Sequence, residues 1–356
     1  MRRSVLVAMS GGVDSAVAAL LLKEAGHDVV GVTLCLGHDE GPGGRAICCG
    51  ADAVRDARAV CDRIGVAHHV FDFSAAFRER VIGRFVAGHG AGRTPNPCVD
   101  CNRFVKFGLL LDKALALGFD MLATGHYAGI EARGGRRCLT RARDAAKDQS
   151  YFLYAVPRER LGRVLFPLAD LTKGVVREIA ARAGLPVARK PESQDLCFGR
   201  GTAQGGLGTN GEAPGPIVDR AERVLGRHAG LGAYTVGQRA GLAAGTGRRL
   251  YVLAKDAPAN RLVVGEREEL RAWSCRAGDV NLFVDELPAR LSARVRHRGR
   301  ELPCSARLIN QVLEVRFEEP AEALAPGQAL VLYDGTSVAG GGTILDGAGA
   351  APDQKE

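Results

Sequence analysis

Ser4-Val5-Leu6-Val7-Ala8-Met9-Ser10-Gly11-Gly12-Val13-Asp14-Ser15 is the stretch that decides the fold. Val5–Met9 is a short unbroken apolar run, as a strand buried on both faces presents. A helix is expected over Asp14–Ala25, with Val17, Leu20 and Leu21 on one face. Between strand and helix, two adjacent glycines permit positive φ and a close backbone approach to an anion. The helix N-terminus adds unbonded N–H groups and a favourable dipole. Ser10 and Ser15 can donate hydroxyls to phosphate oxygens, and Asp14 can hold Mg2+ beside them. A glycine turn between strand and helix also occurs with no ligand. Serines on both sides and Asp14 within favour a phosphate loop. It lacks the lysine of G-x-x-x-x-G-K-[ST], and it is not G-x-G-x-x-G.

Outward from this loop, apolar runs alternate with helix-period segments. Strands are expected at Val29–Leu34, Val70–Phe73 and Met121–Thr124. Helices are expected at Ala51–Ile64, Phe77–Val86, Arg103–Leu117 and Lys173–Ala183, the last with Thr172 as N-cap and Gly184 as stop. This rhythm predicts an α/β domain over residues 1–200, a parallel sheet with helices on both faces. Gly199–Pro216 is dense in glycine and reads as a linker. Short β runs come next at Ile217–Asp219, Tyr234–Val236, Leu250–Leu253 and Arg261–Val264. A second set lies at Leu291–Arg296, Ser305–Ile309, Val312–Phe317 and Ala329–Tyr333. They predict a small β-rich central domain over 201–275 and a C-terminal β-barrel over 276–346. Residues 347–356 read as a disordered tail.

The 356 residues suit two or three domains, and 46% hydrophobic with 25% charged residues exclude wholesale disorder. No run approaches the ~18 apolar residues of a membrane span. Met1-Arg2-Arg3-Ser4 leads straight into a strand rather than a signal-peptide core, so a cytoplasmic protein with no membrane partner is expected. The net charge is +8, carried by 40 Arg and only 8 Lys. Such a bias arises without any polyanion partner, so only local clusters speak for nucleic acid.

The 10 Cys of a cytosolic chain are free, metal-binding or reactive rather than stabilising disulfides. In Thr94-Pro95-Asn96-Pro97-Cys98-Val99-Asp100-Cys101-Asn102, two prolines stiffen the loop that presents Cys98 and Cys101. Cys101 is expected just before a helix, where the dipole with Arg103 and Lys106 favours a thiolate. The plain alternative, half of a zinc site, needs a second close Cys/His pair, and Cys48-Cys49 is adjacent rather than spaced. Cys197, in Lys190-Pro191-Glu192-Ser193-Gln194-Asp195-Leu196-Cys197-Phe198, sits just before the glycine-rich stretch. By itself it reads as a buried small hydrophobe. Cys61, on an apolar helix face, is expected in the core; Cys48 and Cys49 have no assigned role.

Through Ser10–Ser15, Thr94–Asn102 and Glu192–Phe198 together, the sequence resembles the tRNA-specific 2-thiouridylase family of the N-type ATP pyrophosphatase superfamily. Further matches are Ala123-Thr124-Gly125-His126-Tyr127, Lys147-Asp148-Gln149-Ser150-Tyr151, Tyr234-Thr235-Val236-Gly237-Gln238-Arg239 and Pro326-Gly327-Gln328. They run in the family's order from Val5 to about Leu345. The resemblance implies an adenine nucleotide alpha hydrolase-like nucleotide-binding domain and thiolation of the wobble uridine of tRNA. ATP would activate the 2-carbonyl oxygen as an adenylate, and sulfur would displace AMP.

The resemblance further implies ATP contacts at Ala8, Met9, Ser10, Gly11, Gly12, Val13, Asp14, Ser15, Leu34 and Gly125. It implies tRNA contacts at Asn96, Pro97, Cys98, His126, Lys147, Asp148, Gln149, Arg296, His297 and Gln328. Arg290, Arg294, Arg296, Arg298, Arg300 and Arg307 surround the last group, opposed only by Glu301; an alternating-Arg strand would present them on one face. Cys197 would receive sulfane sulfur from a sulfur-relay protein or a cysteine desulfurase. Cys101 would then release it by forming a disulfide with Cys197. Some members carry an acidic residue at the position of Cys98. Here Cys98, Cys101 and Cys197 would make three thiolates, enough for a [4Fe–4S] cluster with one open iron, so a cluster route stands beside the persulfide route. Arg200–Gly211 departs from the family in being glycine-rich. Two other readings stand: an adenylating ligase of the same superfamily acting on a small molecule, and a non-catalytic tRNA-binding protein. Neither needs two distant reactive cysteines together with the loop.

Overall fold

Ser4–Ala8 forms β1 and Val13–Glu24 forms α1, so the deciding stretch folds as strand, turn and helix. The computed structural model describes residues 2–37, 51–191, 213–239 and 249–348. Two compact units emerge: residues 1–82, 98–202 and 336–338, and residues 83–97, 203–335 and 339–356. Segment 83–97 thus belongs to the second unit although it interrupts the first in sequence.

The first unit is built on β1, β2 (Asp28–Cys35), β3 (Ala67–Asp72) and β4 (Met121–Thr124), with Val164–Leu165 as a fifth strand. Their order is β3-β2-β1-β4-Val164–Leu165, and every pairing is parallel. Ala8 pairs with Val32 on one side and Thr124 on the other, so β1 and β4 end together beside β2. The turn into α1 leaves the sheet at that end, where parallel sheets bind ligands. β3 begins three residues earlier than expected and is an exposed edge strand.

Val5, Val7 and Met9 pack with Ala16, Val17 and Leu20 of α1, Val60 and Cys61 of α2 (Ala51–Ile64), and Val176 and Ala180 of the Lys173–Arg182 helix. α1 is therefore buried on most of its circumference rather than along one face. Thr172 caps the Lys173–Arg182 helix by accepting from Val175 N, and Gly184 comes after it at φ +64°. Both were expected from sequence.

Two glycines are required here by geometry. Gly11 has φ +70°, and a Cβ on it would lie 2.5 Å from Ala53 O. A Cβ on Gly125 would lie 2.6 Å from Ser15 N and 2.7 Å from the Asp14 carbonyl carbon. The end of β4 thus packs directly on the first turn of α1.

The helix expected at Arg103–Leu117 starts earlier and changes type. Pro97–Asp100 is α-helical, Cys101–Leu110 is a π-helix, and Leu111–Ala116 is α-helical again. Proline suits a first helical turn. π segments are rare and gather at functional sites. A Cβ on Gly108 would lie 2.9 Å from Arg103 O, five residues back. Arg160 Nη1 donates to the carbonyls of Phe107 and Gly108 (3.1 and 3.2 Å) and to Asp112 Oδ1 (2.7 Å), bracing the return to α register. The expected Phe77–Val86 helix likewise resolves into Ser74–Phe77, a π segment Arg78–Gly83, and Arg84–Gly90. The hairpin Gly129–Arg133/Arg136–Thr140 had no strand expectation.

In the second unit, a four-stranded sheet runs in the order Tyr251–Asp256, Arg261–Gly265, Gly215–Val218, Val224–His228. Its core holds Ile217, Leu231, Tyr234, Val252, Leu262 and Val264. Tyr234–Val236, expected as a strand, is irregular and turns instead: Gly237 N donates to Val252 O, and the Gln238 amide accepts from Thr235 N. Val224–His228 was not expected.

The C-terminal barrel has six strands in the order Arg271–Leu282, Val312–Glu322, Leu302–Ile309, Leu291–Arg294, Ala329–Asp334 and Ser337–Ala348, the last pairing back to the first. Asn310 (φ +47°) and Gln311 (φ +65°) make the two-residue turn of its central hairpin. Arg271–Leu282 and Ser337–Ala348 escaped the sequence reading. The latter holds Gly340, Gly341 and Gly342, which strands usually avoid. A Cβ on Gly340 would lie 2.5 Å from Asn281 O, so the barrel closes where side chains are absent. This strand also runs two residues into the stretch read as a tail. No helix of the described residues is long and apolar enough to cross a membrane.

The close approach at Gly125 can be tested by substitution. Gly125→Ala places a methyl against rigid backbone, and overpacking of this kind costs ~1–3 kcal/mol. Thermal denaturation should show a clear fall in Tm; an unchanged Tm would mean that β4 and α1 do not meet as described.

Candidate nucleotide site and the cysteine helix

The turn Ser10–Asp14 is held by its own hydroxyls. Ser15 Oγ accepts from Ser10 N (3.1 Å), donates to Gly12 O (3.1 Å) and lies 3.2 Å from Ser10 Oγ. Gly12 is the N-cap, and no side chain caps the helix there. The first N–H groups of α1 are thus left without a side-chain acceptor, as an anion site requires.

The chain supplies from a distance the lysines that the loop lacks. Lys173 Nζ lies 2.7 and 2.8 Å from the two Asp14 oxygens. Tyr127 OH donates to Asp14 Oδ1 at 2.8 Å. Lys190 Nζ donates to Gly11 O at 2.9 Å and pairs with Asp56 at 2.5 Å. Asp14 was the expected Mg2+ ligand. Both its oxygens are engaged by an ammonium, so a metal would have to displace Lys173. Among the described residues no group of three His, Cys, Asp or Glu side chains is arranged to hold a metal ion.

The segment Lys147–Gln149, expected to contact tRNA, braces this arrangement. Gln149 Oε1 accepts from Tyr127 N (2.9 Å), and Gln149 N donates to Tyr127 O (2.8 Å). Buried Asp148 accepts from Ala142 N, Ser150 N and Ser150 Oγ at 3.1, 3.2 and 2.8 Å. Tyr127, Lys173, Lys190 and Asp56 were not assigned from sequence. The one available signal was the bias itself: with only 8 Lys among 48 cations, each lysine is worth locating.

Gly125 leads from the loop to the cysteine helix. Next to it, half-buried His126 bonds Thr124 Oγ1 through Nδ1 (2.7 Å), and its Nε2 lies 3.5 Å from Lys106 Nζ. Its ring meets those of Phe107 and Phe166. Lys106 can only donate, so Nε2 accepts and Nδ1 carries the proton. Burial, then the Lys106 ammonium, hold this imidazole well below the usual histidine range. Lys106 lies on the π segment that Cys101 opens.

Cys101 is buried and lies within the helix rather than before it. The thiol of the first turn is Cys98, which is half-buried. Cys98, not Cys101, therefore stands beside the first N–H groups of this helix. Cys197 lies outside the described residues, so two of the three thiols proposed for a cluster are placed and the third is not. Burial pushes Cys61 up to about 11 and both Cys275 and Cys304 up to about 12. These are inert core thiols, as expected for Cys61.

In the second unit Gln328 Nε2 donates to Thr94 O (3.0 Å), and Thr94 N donates to Pro326 O (2.7 Å). Gln328 thereby holds the loop that carries Asn96 and Pro97. The arginine-rich stretch is not one alternating strand. The strand ends at Arg294, and Arg296–Arg300 is a turn. Arg294 pairs with Glu301 and Arg300 with Glu319. Arg296 and Arg298 are exposed on that turn, and His297 is half-buried.

Residues 3–200 match a family model described as the tRNA methyl transferase HUP domain. Residues 208–266 match the tRNA methyl transferase PRC-barrel domain, and 273–344 the aminomethyltransferase beta-barrel domain. The protein named tRNA-specific 2-thiouridylase MnmA 1 of Syntrophus aciditrophicus (strain SB) is 50% identical over 349 residues, 97% of this chain and 93% of its own. This chain belongs to the tRNA-specific 2-thiouridylase family. The family's MnmA from Moorella thermoacetica is 48% identical over 351 residues, 95% of this chain and 98% of its own. That from Roseiflexus castenholzii is 43% identical over 366 residues, 96% and 98%.

This thiouridylase-family chain holds several histidines neutral. Besides His126, burial lowers His89 to about 4 and also lowers His68. A histidine whose folded pKa is depressed contributes fully above its unfolded value near 6.5, and that contribution is lost as pH falls toward the folded pKa. The denaturant midpoint should be flat from pH 8 to 7 and fall steadily from about pH 6.5 to pH 5. A midpoint that rises over that window would contradict the assignment.

Proposed function

We propose that the chain is a tRNA-uridine 2-sulfurtransferase that uses ATP to activate the wobble uridine. The observation that carries this reading is the bridge formed by Gly125 and His126. One touches the backbone of Asp14 and Ser15, and the other is approached by Lys106 of the cysteine helix. One short segment thereby joins an uncapped, serine-lined helix N-terminus to the helix bearing Cys101.

In this scheme ATP lies with its phosphates on Ser10–Ser15. The uridine O2 attacks the α-phosphorus, the bond to the β-phosphate breaks, and pyrophosphate leaves. A carbonyl oxygen is a poor leaving group; an adenylate is a good one. Cys197 arrives as a persulfide charged by a sulfur-relay protein or a cysteine desulfurase. The Cys101 thiolate attacks the inner sulfur, the Cys197–Cys101 disulfide forms, and sulfide is released. Sulfide adds to C2, the C2–O bond breaks, and AMP leaves. An external thiol then reduces the disulfide. Asn96, Pro97, Cys98, His126, Lys147, Asp148, Gln149, Arg296, His297 and Gln328 remain the residues proposed toward tRNA. The positions found for Asp148, Gln149 and Gln328 give them a bracing share of that work. The proposed domains keep the order nucleotide-binding, central and barrel, with the barrel reaching from Arg271 to Ala348, and the proposed location is the cytoplasm.

The test is formation of 2-thiouridine in unmodified tRNA with ATP and a persulfide donor, read by nucleoside mass spectrometry. Cys101→Ser and Cys197→Ser should each abolish product while ATP-dependent pyrophosphate release persists. Full product from both variants would overturn the sulfur scheme. Iron and sulfide analysis after anaerobic purification separates the routes. Iron-free protein with full persulfide-driven activity supports the persulfide scheme; activity that tracks bound iron supports a cluster on Cys98, Cys101 and Cys197.

A further inference from the structure

We infer that Lys173 is the phosphate-contacting lysine of this loop, and that Asp14 serves to hold it there rather than to hold a metal. The inference rests on the reading of Ser10–Ser15 as the ATP site and assigns that site its missing cation. Lys173 opens its helix 159 residues after Asp14 in sequence, yet its ammonium meets both Asp14 oxygens at 2.7 and 2.8 Å. Asp14 belongs to the first turn of α1. The ammonium therefore sits beside the N–H groups where a phosphate would settle. Tyr127 closes the other side, with its hydroxyl on Asp14 and its ring 5.9 Å from Lys173 Nζ.

Three features argue against a mere clamp between helices. First, the Lys173 side chain is only 11% exposed, whereas that of Asp14 is 32% exposed. Burying an ammonium is costly, and apolar residues of similar volume often serve packing as well or better. Second, among the described residues both cations bonded to this loop, Lys173 and Lys190, are lysines in a chain of 40 Arg and 8 Lys. A compact ammonium suits a phosphate in a narrow turn, and a guanidinium fork does not replace it there. Third, the sequence of the loop has the serines and glycines of a phosphate cradle and no cation of its own. Lys173 supplies that charge from far along the chain. When a triphosphate arrives, the ammonium turns from the carboxylate to the phosphate oxygens by rotation of its own side chain.

The test is ATP affinity of the full-length protein by calorimetry, in EDTA and again with Mg2+. Lys173→Met should weaken binding about tenfold or more in both buffers. Asp14→Asn frees the lysine, so in EDTA it should bind ATP as well as wild type or more tightly. A structural clamp predicts instead that both substitutions weaken binding alike. That result, or Lys173→Met within twofold of wild type, overturns the inference. Should Lys173→Met not fold, the Asp14→Asn/Lys173→Met double variant removes both charges together. It should bind ATP as weakly as the single lysine variant was expected to, and wild-type affinity there is equally fatal. Wild-type protein that binds no ATP in either buffer refutes the nucleotide site itself, an outcome visible without any variant.

Discussion

The ion pair between Asp14 and Lys173 is the constraint on which the first unit turns. It ties the first turn of α1 to the first turn of the Lys173–Arg182 helix. Removing Asp14 would leave the Lys173 ammonium, 11% exposed, without compensation, whereas Asp14, at 32%, keeps some access to water. The pair is also the end of a chain of contacts. Gln149 fixes the backbone of Tyr127, Tyr127 fixes Asp14, and Asp14 fixes Lys173. Residues spread over 159 positions are thereby made to agree on one turn of six.

The helix that bears Cys101 is wound differently from an ordinary α-helix. Ten residues from Cys101 to Leu110 adopt the π pattern, and Arg160 takes up carbonyls at its end. In a π turn, residues five apart share a face, so Cys101 and Lys106 are brought to the same side where an α-helix would separate them. Lys106 is the residue that reaches His126.

Much of this was legible in the sequence. The strand–loop–helix unit, the parallel sheet, the helix caps at Thr172 and Gly184 and the β character after residue 215 all arise from local pattern. Local pattern failed where tertiary packing sets the outcome. Gly340–Gly342 looks unfit for a strand until the strand beside it is seen to leave no room for side chains. Tyr234–Val236 looks like a strand, but the Gln238 amide folds it into a turn. The loop itself was read from six contiguous residues, while Tyr127, Lys173 and Lys190 lie 113 to 179 residues from their partners. No window on the sequence spans that distance. The arginine-rich stretch shows the converse. Counting charges suggests one basic face, whereas the fold spends Arg294 and Arg300 on the neighbouring acids Glu301 and Glu319.

The clasp on Thr94 has a consequence for the protein as an object to be cut or rebuilt. Both backbone groups of Thr94 are bonded by residues 326–328, and Lys255 adds a bond to Arg93 O. The loop that leads into the cysteine helix therefore takes its shape from residues more than 230 positions further along. A fragment ending near residue 200 would keep every residue of the nucleotide turn and of the cysteine helix, yet the peptide groups of Thr94 would face water. The proline pair would still stiffen Thr94–Pro97, without the bonds from residues 326–328. The C-terminal barrel is thus the jig in which an upstream loop is set, and a minimal version of this protein cannot be made by shortening it from that end.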